Sequence, residues 1–395
     1  MITKLHISNF RSIKRSDIDL GKITVLTGAN NSGKSSFIYA LLALKNIVNN
    51  PNQSIDNFLT LPFINLGGFE QTVFNKNTES HFDLGVTLAV GEFEIEYTIT
   101  LNPRSARIEL NVIKPWLEKF ESGVSFPYPA NKNIKYGIDI DGKVAKYFWN
   151  GFTGYESPDD FSPMLLHHVT PLQMPVNTFS SVDFVPIRRG FTKPYFSPVP
   201  LQSQISNEDE IATLLSLDRD LVSKVAHYLE KIVDRSFSIY TTPGTANFYL
   251  QTRDRATGFT ADLVNEGLGT NQLVTILAKV LQSKNKFICI DEPEIHLHPT
   301  IIDKLVSVLI EIAEHENKQF LVSTHSEHFI SSLLSSVVKK EVNSEDIKVY
   351  YLTKEGKETK AEFQAINSSG QIDGGLKNFY DAELDNLKTL FNIAE

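Results

Sequence analysis

The sequence predicts an α/β chain: a mixed, largely parallel sheet flanked by helices, with an antiparallel β lobe and a helical insertion set into its middle. Three observations carry this expectation. Strand and helix signals alternate at both ends of the chain, the pattern of a parallel sheet covered by helices. Apolar and polar residues alternate at period two in the middle, as in Phe93-Glu94-Ile95-Glu96-Tyr97-Thr98-Ile99. The 395 residues, 41% hydrophobic and 22% charged, are ordinary globular composition and suffice for one large domain or two modest ones.

The first segment, residues 1–77, opens with a strand signal at Lys4-Leu5-His6-Ile7. A second apolar run, Ile23-Thr24-Val25-Leu26, leads through Thr27 into Gly28-Ala29-Asn30-Asn31-Ser32-Gly33-Lys34-Ser35. This octet fits the phosphate-cradling pattern G-x-x-x-x-G-K-[ST]. Residues 34–48 then read as a helix, since Phe37, Ala40, Leu41 and Leu44 recur at helical spacing. A buried strand fixes such a loop, glycines let backbone N–H groups converge on phosphates, and the helix presents its positive end to them. The order strand, loop, helix therefore implies a nucleoside triphosphate. Gly28, Asn30, Asn31, Ser32, Gly33, Lys34, Ser35 and Ser36 are the candidate binding residues; Lys34 would reach the β- and γ-phosphates, and Ser35 would hold Mg²⁺.

The middle segment, residues 78–243, reads as antiparallel strands and hairpins, with a turn at Asp141-Gly142. Residues 116–196 read as loop-rich and aromatic-rich, punctuated by Pro127, Pro129, Pro158, Pro171 and Pro175, and are a candidate partner surface. Residues 208–233 read as helical, with Ile211, Leu214, Leu215, Val222 and Val225 on one apolar face.

The last segment, residues 244–395, carries strand runs at 286–290 and 319–323. Between them lies an amphipathic stretch with Ile302, Leu305, Val306, Leu309 and Ile312 in one stripe. Asp291 and Glu292 close the first strand run, which is a Walker B pattern. Phosphoryl transfer to water needs one carboxylate, Asp291, to orient Mg²⁺, and a second, Glu292, to polarise the attacking water. The next strand run ends at His325, at the carboxyl edge where parallel sheets collect ligands, so His325 is the candidate γ-phosphate sensor. Upstream, Asn265-Glu266-Gly267-Leu268-Gly269-Thr270-Asn271-Gln272 opens an apolar helix, and glycines at a helix start make a second anion-binding end.

Composition narrows the classes. A net charge of -9 argues against a surface built mainly to coat nucleic acid. The single cysteine, Cys289, lies in the apolar run Phe287-Ile288-Cys289-Ile290, permits no disulfide within the chain and fits a reducing cytoplasm. The start of the sequence lacks a basic region followed by an apolar stretch, and no apolar segment approaches bilayer length, so a soluble, cytoplasmic chain without a membrane partner is expected.

Taken in order, Asn9-Phe10-Arg11-Ser12-Ile13, residues 28–36, Gly267 to Gln272, Asp291-Glu292-Pro293-Glu294-Ile295-His296-Leu297-His298-Pro299 and Ser323-Thr324-His325-Ser326 resemble the P-loop ABC-type ATPases of the RecF, SMC and OLD group. The acidic segment is especially OLD-like. The resemblance implies an ATPase head that uses ATP and Mg²⁺. It also implies a head-to-tail homodimer, in which the signature of one subunit closes on ATP held by the phosphate loop of the other. Here the signature departs from the usual Ser-Gly-Gly-Gln kernel, so Gly267 and Gly269 approach the nucleotide and Thr270 or Asn271 supplies the contact. Gln71, after Gly67-Gly68-Phe69-Glu70, is one register for the glutamine loop that senses Mg²⁺. His296 and His298 match the family's His-Leu-His-Pro stretch, which favours a dimer-interface loop over a metal site. Phe184-Val185-Pro186-Ile187-Arg188 faintly resembles a strand-and-arginine element of these ATPases.

Long heptad arms for an SMC tether are absent. The tail from residue 349 resembles a short extra strand pair and helix. It lacks the glutamate and Asp-x-Asp arrangement of the Toprim nuclease, so no nuclease is expected in this chain. The expected function is an ATP hydrolase whose ATP-driven dimer closure acts as a switch, working with a separate nuclease or toxin effector in prokaryotic anti-phage defence. A RecF-like DNA repair clamp is the alternative, with Lys143, Lys146, Tyr147, Trp149, Arg188, Arg189 and Lys193 as a DNA surface; hairpin faces and loop packing are the other explanation of those residues. An ATP-bound scaffold with little hydrolysis, in a dimer or a larger oligomer, is the third reading.

Overall fold

A computed structural model describes residues 1–128, 134–140, 143–156, 163–202 and 204–372. The chain opens with β1 (Ile2–Phe10), β2 (Ile13–Asp19), β3 (Ile23–Thr27) and α1 (Lys34–Asn49), then the short α2 (Ile55–Phe58), β4 (Thr60–Leu61), β5 (Ile64–Asn65) and α3 (Gly68–Thr72). Period-two alternation continues through β6 (Phe82–Val90), β7 (Phe93–Leu101), β8 (Ser105–Lys114) and β9 (Glu118–Ser125). A second, smaller set follows: β10 (Ile134–Ile140), β11 (Lys143–Trp149) and β12 (Gly154–Glu156), then α4 (Pro163–Ser180) and β13 (Val182–Val185). After these come α5 (Glu208–Leu217), α6 (Arg219–Val233), β14 (Arg235–Thr241), β15 (Phe248–Asp254), β16 (Thr260–Asp262) and α7 (Leu268–Val280). The C-terminal part holds β17 (Phe287–Asp291), α8 (Pro299–His315), β18 (Gln319–Thr324), α9 (Glu327–Val338), β19 (Ile347–Glu355) and β20 (Glu358–Gln364).

Two six-stranded sheets organise these elements. One, in the order β13-β17-β18-β3-β19-β20, is parallel except for its last strand; the other, β2-β1-β6-β7-β8-β9, is antiparallel. Every residue of β3, β17 and β18 is buried, as expected for parallel strands covered on both faces. The apolar side chains divide into two cores. Phe37, Leu41 and Leu44 of α1 pack with Leu5, Leu84 and Ile99 of the antiparallel sheet, so α1 is held between the sheets. On the other side, Val25, Ile288 and Val322 pack with Leu229, Leu277, Leu309 and Ile330 of α6 to α9.

Register then places the chemistry. Thr27 lies level with Thr324, and Asp291 level with Ser323. The phosphate loop, the acidic pair and His325 therefore leave three adjacent strands at one carboxyl edge.

Several expectations are corrected by the packing. Sheet membership crosses the segment divisions: β1 and β2 join the antiparallel lobe, whereas β13, from the middle segment, pairs in parallel with β17. Most of residues 116–196 is regular structure, and α4 contains both Pro171 and Pro175. Each proline removes an N–H, and the helix survives because Leu172, Met174 and Phe179 bury its face in the core. The single helix expected over 208–233 is two, because Asp218 ends α5 and caps α6 by accepting from the Leu221 N–H. Asp141, Gly142, Pro129, Pro158 and the helix expected at the end of the tail lie outside the described residues. Cys289 is fully buried, and burial pushes its thiol up. Among the described residues, no helix is long and apolar enough to cross a membrane.

Candidate nucleotide site

The loop after β3 turns sharply at Gly28 (φ 140°), Asn31 (φ 67°) and Gly33 (φ 101°), where Gly33 caps α1. The glycines also answer to crowding. A Cβ on Gly28 would lie 2.3 Å from the Leu352 carbonyl oxygen, and one on Gly33 would lie 2.3 Å from the Thr359 hydroxyl. Lys34 folds back, donating from Nζ to the Gly28 and Ala29 carbonyls at 2.8 and 3.1 Å. Burial pushes its ammonium down, against the opposing pull of Glu292, Asp291 and Glu294.

Beside the loop lies a cavity of about 790 Å³. Asn30, Asn31, Gly33, Lys34, Ser35 and Ser36 line it together with Gln71 and Glu292, and Arg11, Lys76, Lys354 and Lys357 complete a basic rim. Gly28 stands behind the loop against Leu352, and Ser32 is buried with no partner for its hydroxyl among the described residues. Asp291 is buried; its carboxylate accepts from the Ser323 hydroxyl, and burial is the main cause that pushes its pKa up. Burial, with the charge of Asp291, pushes the Tyr39 hydroxyl up. A serine hydroxyl and a carboxylate are hard oxygen donors of the kind Mg²⁺ takes, so the chemistry of Ser35 and Asp291 fits that ion.

Glu292 carries the arrangement outward. Its backbone is left-handed (φ 46°), its N–H donates to the Ser323 carbonyl at 2.8 Å, and its carboxylate lies 3.1 Å from His325 Nδ1. Glu294 closes the cluster from below: it accepts from the Thr324 hydroxyl at 2.5 Å and lies 3.6 Å from the same His325 nitrogen. Burial pushes the Glu294 carboxyl up, and its second oxygen has no partner among the described residues.

Two residues depart from the roles expected of them. Arg189, a candidate for DNA contact, is turned inward. Its Nη1 donates to the Pro186 and Asp291 carbonyls at 3.0 and 2.8 Å, its Nη2 donates to the Glu292 carbonyl at 2.7 Å, and burial brings its pKa to about 10. Asn271, a candidate nucleotide contact, is buried, accepting from the Phe191 N–H at 2.7 Å and donating to the Phe191 carbonyl at 2.8 Å. The rest of the DNA surface is also dispersed. Tyr147 and Trp149 are core residues, Lys193 pairs with Asp209 at 2.6 Å, and the Lys143 side chain lies outside the described residues; Lys146 and Arg188 are exposed.

Gly267 is exposed and caps α7 without a side-chain hydrogen bond; Gly269 and Thr270 are half-buried, and neither these nor Asn271 line the cavity. A Cβ on Gly269 would meet the His296 carbonyl at 2.8 Å, so the signature turn rests on the turn after β17. His298 caps α8 by accepting from the Thr300 N–H. Sequence reasoning missed Glu294, Ser323, Lys354, Lys357 and the inward role of Arg189. Glu294 lies in the acidic run, but spacing does not report its burial; Arg189 is 102 residues from the backbone it holds and carries no local signal.

Residues 23–331 match the family described as "AAA domain, putative AbiEii toxin, Type IV TA system". The chain belongs to this family. It is 24% identical over 341 residues to the OLD nuclease of Thermus scotoductus, covering 83% of this chain and 60% of that protein. It is 23% identical over 366 residues to endonuclease GajA of Bacillus cereus, covering 82% and 55% respectively. The chain thus spans little more than half the length of these curated relatives. The SMC head bound to the C-terminal winged-helix domain of ScpA is similar in fold, with a TM-score of 0.50 at 12% identity over 93% of this chain and 98% of that one. The SMC head domain of Thermotoga maritima matches with a TM-score of 0.46 at 11% identity, over 92% of this chain and 98% of that one. Family, fold and motif order agree on an OLD-like ABC/SMC-type ATPase.

Proposed function

We propose that the chain binds ATP with Mg²⁺ and hydrolyses it, and that nucleotide-driven closure of a head-to-tail homodimer is its working switch. The observation that carries this reading is the convergence of Lys34, Ser35 and Glu292 on one cavity, with Asp291 buried beside them and His325 3.1 Å from Glu292. Lys34 and the amides at the start of α1 would hold the β- and γ-phosphates. Ser35 and Asp291 would hold Mg²⁺, with Gln71 lining the same cavity as Ser35; the ion would neutralise charge on the phosphates. Glu292 would orient and polarise the attacking water, while His325 would position that carboxylate and sense the γ-phosphate. Gly267, Gly269 and Thr270 would act on the nucleotide of a partner chain.

The toxin and toxin–antitoxin wording of the family description supports a place in prokaryotic defence, with the destructive chemistry supplied by a separate effector in the cytoplasm. The test is steady-state ATP turnover with binding measured in parallel. Lys34→Ala should abolish nucleotide binding, whereas Glu292→Gln should retain binding and lose about a hundredfold or more of turnover, the scale of a positioned general base. Unchanged turnover in Glu292→Gln would remove the base assignment.

A further inference from the structure

We propose that the β19–β20 turn is a wall of the nucleotide site, and that Lys354 and Lys357 bind the phosphate chain. The inference rests on the reading of the cavity as an ATP site and adds a binding element that the loop motif does not contain.

The turn is fixed to the phosphate loop at both ends. β19 runs beside β3 with Tyr351 level with Thr27, which brings the Leu352 carbonyl against Gly28. On the returning strand Thr359 is buried, at 1% exposure. Its N–H donates to the Ser12 carbonyl at 2.7 Å, and its hydroxyl donates to the Ser32 carbonyl at 3.0 Å and lies 2.8 Å from the Ser12 hydroxyl. Held at Gly28 and Gly33, the hairpin projects its tip past the loop, and Lys354, Gly356 and Lys357 line the cavity.

Charge identifies the ligand chemistry. In a chain of net charge -9, this cavity gathers Arg11, Lys34, Lys76, Lys354 and Lys357, against Glu292 as the one lining carboxylate among the described residues, and Glu292 faces His325. Among the described residues neither Lys354 nor Lys357 has an ion-pair partner; Glu358 of the same turn pairs with Lys360 at 2.7 Å. A cleft lined by one sign of charge concentrates the opposite one. The apolar lining is Leu66 and Val73, with no aromatic ring among the described lining residues to stack a base. Ammonium groups act there as point charges towards phosphate oxygens.

The experiment is competition against a fluorescent ATP analogue, with ATP and inorganic tripolyphosphate as competitors, using the full chain. The proteins are wild type, the Lys354→Ala/Lys357→Ala double variant, and the Lys354→Arg/Lys357→Arg double variant. The alanine variant should bind both competitors about tenfold more weakly, with the deficit growing at low salt, and arginine should restore most of the affinity. Wild-type affinity in the alanine variant would overturn the assignment while leaving the ATP site intact. Weaker ATP binding with unchanged tripolyphosphate binding would overturn the phosphate contact in favour of the nucleoside. No binding by wild type would overturn the ATP reading itself.

Discussion

Glu294 is a carboxylate in the wrong solvent. It is buried, one oxygen has no partner among the described residues, and its pKa is raised because burial outweighs the Thr324 hydrogen bond. A raised folded pKa means that the folded chain binds more protons than the unfolded chain between the two values, so this group weakens the fold as pH rises through that window. Glu294→Gln should therefore gain stability relative to wild type as pH rises through the raised value, and the advantage should fade as pH drops to the ordinary carboxylate value. Urea unfolding at a series of pH values reads this directly; a variant less stable at every pH would show that the ionised group is held favourably. The grouping of Lys34, Ser35, Asp291 and Glu292 was legible in the sequence because each lies inside a contiguous motif at the end of a recognisable strand. Glu294 was not, since its significance comes from burial, which no spacing reports.

At the scale of elements, the turn after β17 is shaped by a strand from elsewhere in the chain. Arg189, just beyond β13, forks onto the Asp291 and Glu292 carbonyls and holds Glu292 in its left-handed conformation. Lys cannot reproduce a planar fork. Arg189→Lys should cost about 2 kcal/mol of stability and lower kcat with little change in KM, because Arg189 does not line the nucleotide cavity. An equal change in KM would place it in substrate binding instead. Asn271 has a parallel part on α7, where it satisfies both backbone groups of Phe191. Asn271→Ala should cost about 2 kcal/mol by chemical denaturation, and Thr270→Ala, at a half-buried position, well under 1 kcal/mol. Helix α8 and strands β3, β17 and β18 could be read in advance because their periodicity is local. The parallel pairing of β13 with β17 could not, since its partners lie about a hundred residues apart. Nor could α4, whose prolines speak locally against a helix that the core then stabilises.

For the whole molecule, the start of α7 and the nucleotide cavity stand apart. The cavity holds the phosphate loop and Glu292, but none of Gly267, Gly269, Thr270 and Asn271 lines it; instead α7 begins at an exposed Gly267 with Leu268 62% exposed beside it. A helix N-terminus attracts anions, and among the described residues no side chain caps this one. If a second copy supplies that end, turnover per chain rises with protein concentration, and two separately inactive chains complement each other. Lys34→Ala keeps its signature turn but loses nucleotide, whereas Thr270→Arg keeps its phosphate loop but blocks the partner's site. Mixed in equal amounts, half of the randomly formed dimers are heterodimers with one intact composite site of two, so turnover should recover to about a quarter of wild type. Recovery no greater than the sum of the two variants alone would mean that a single chain completes its own site, and ATP would then report on this protein's internal state rather than on its pairing.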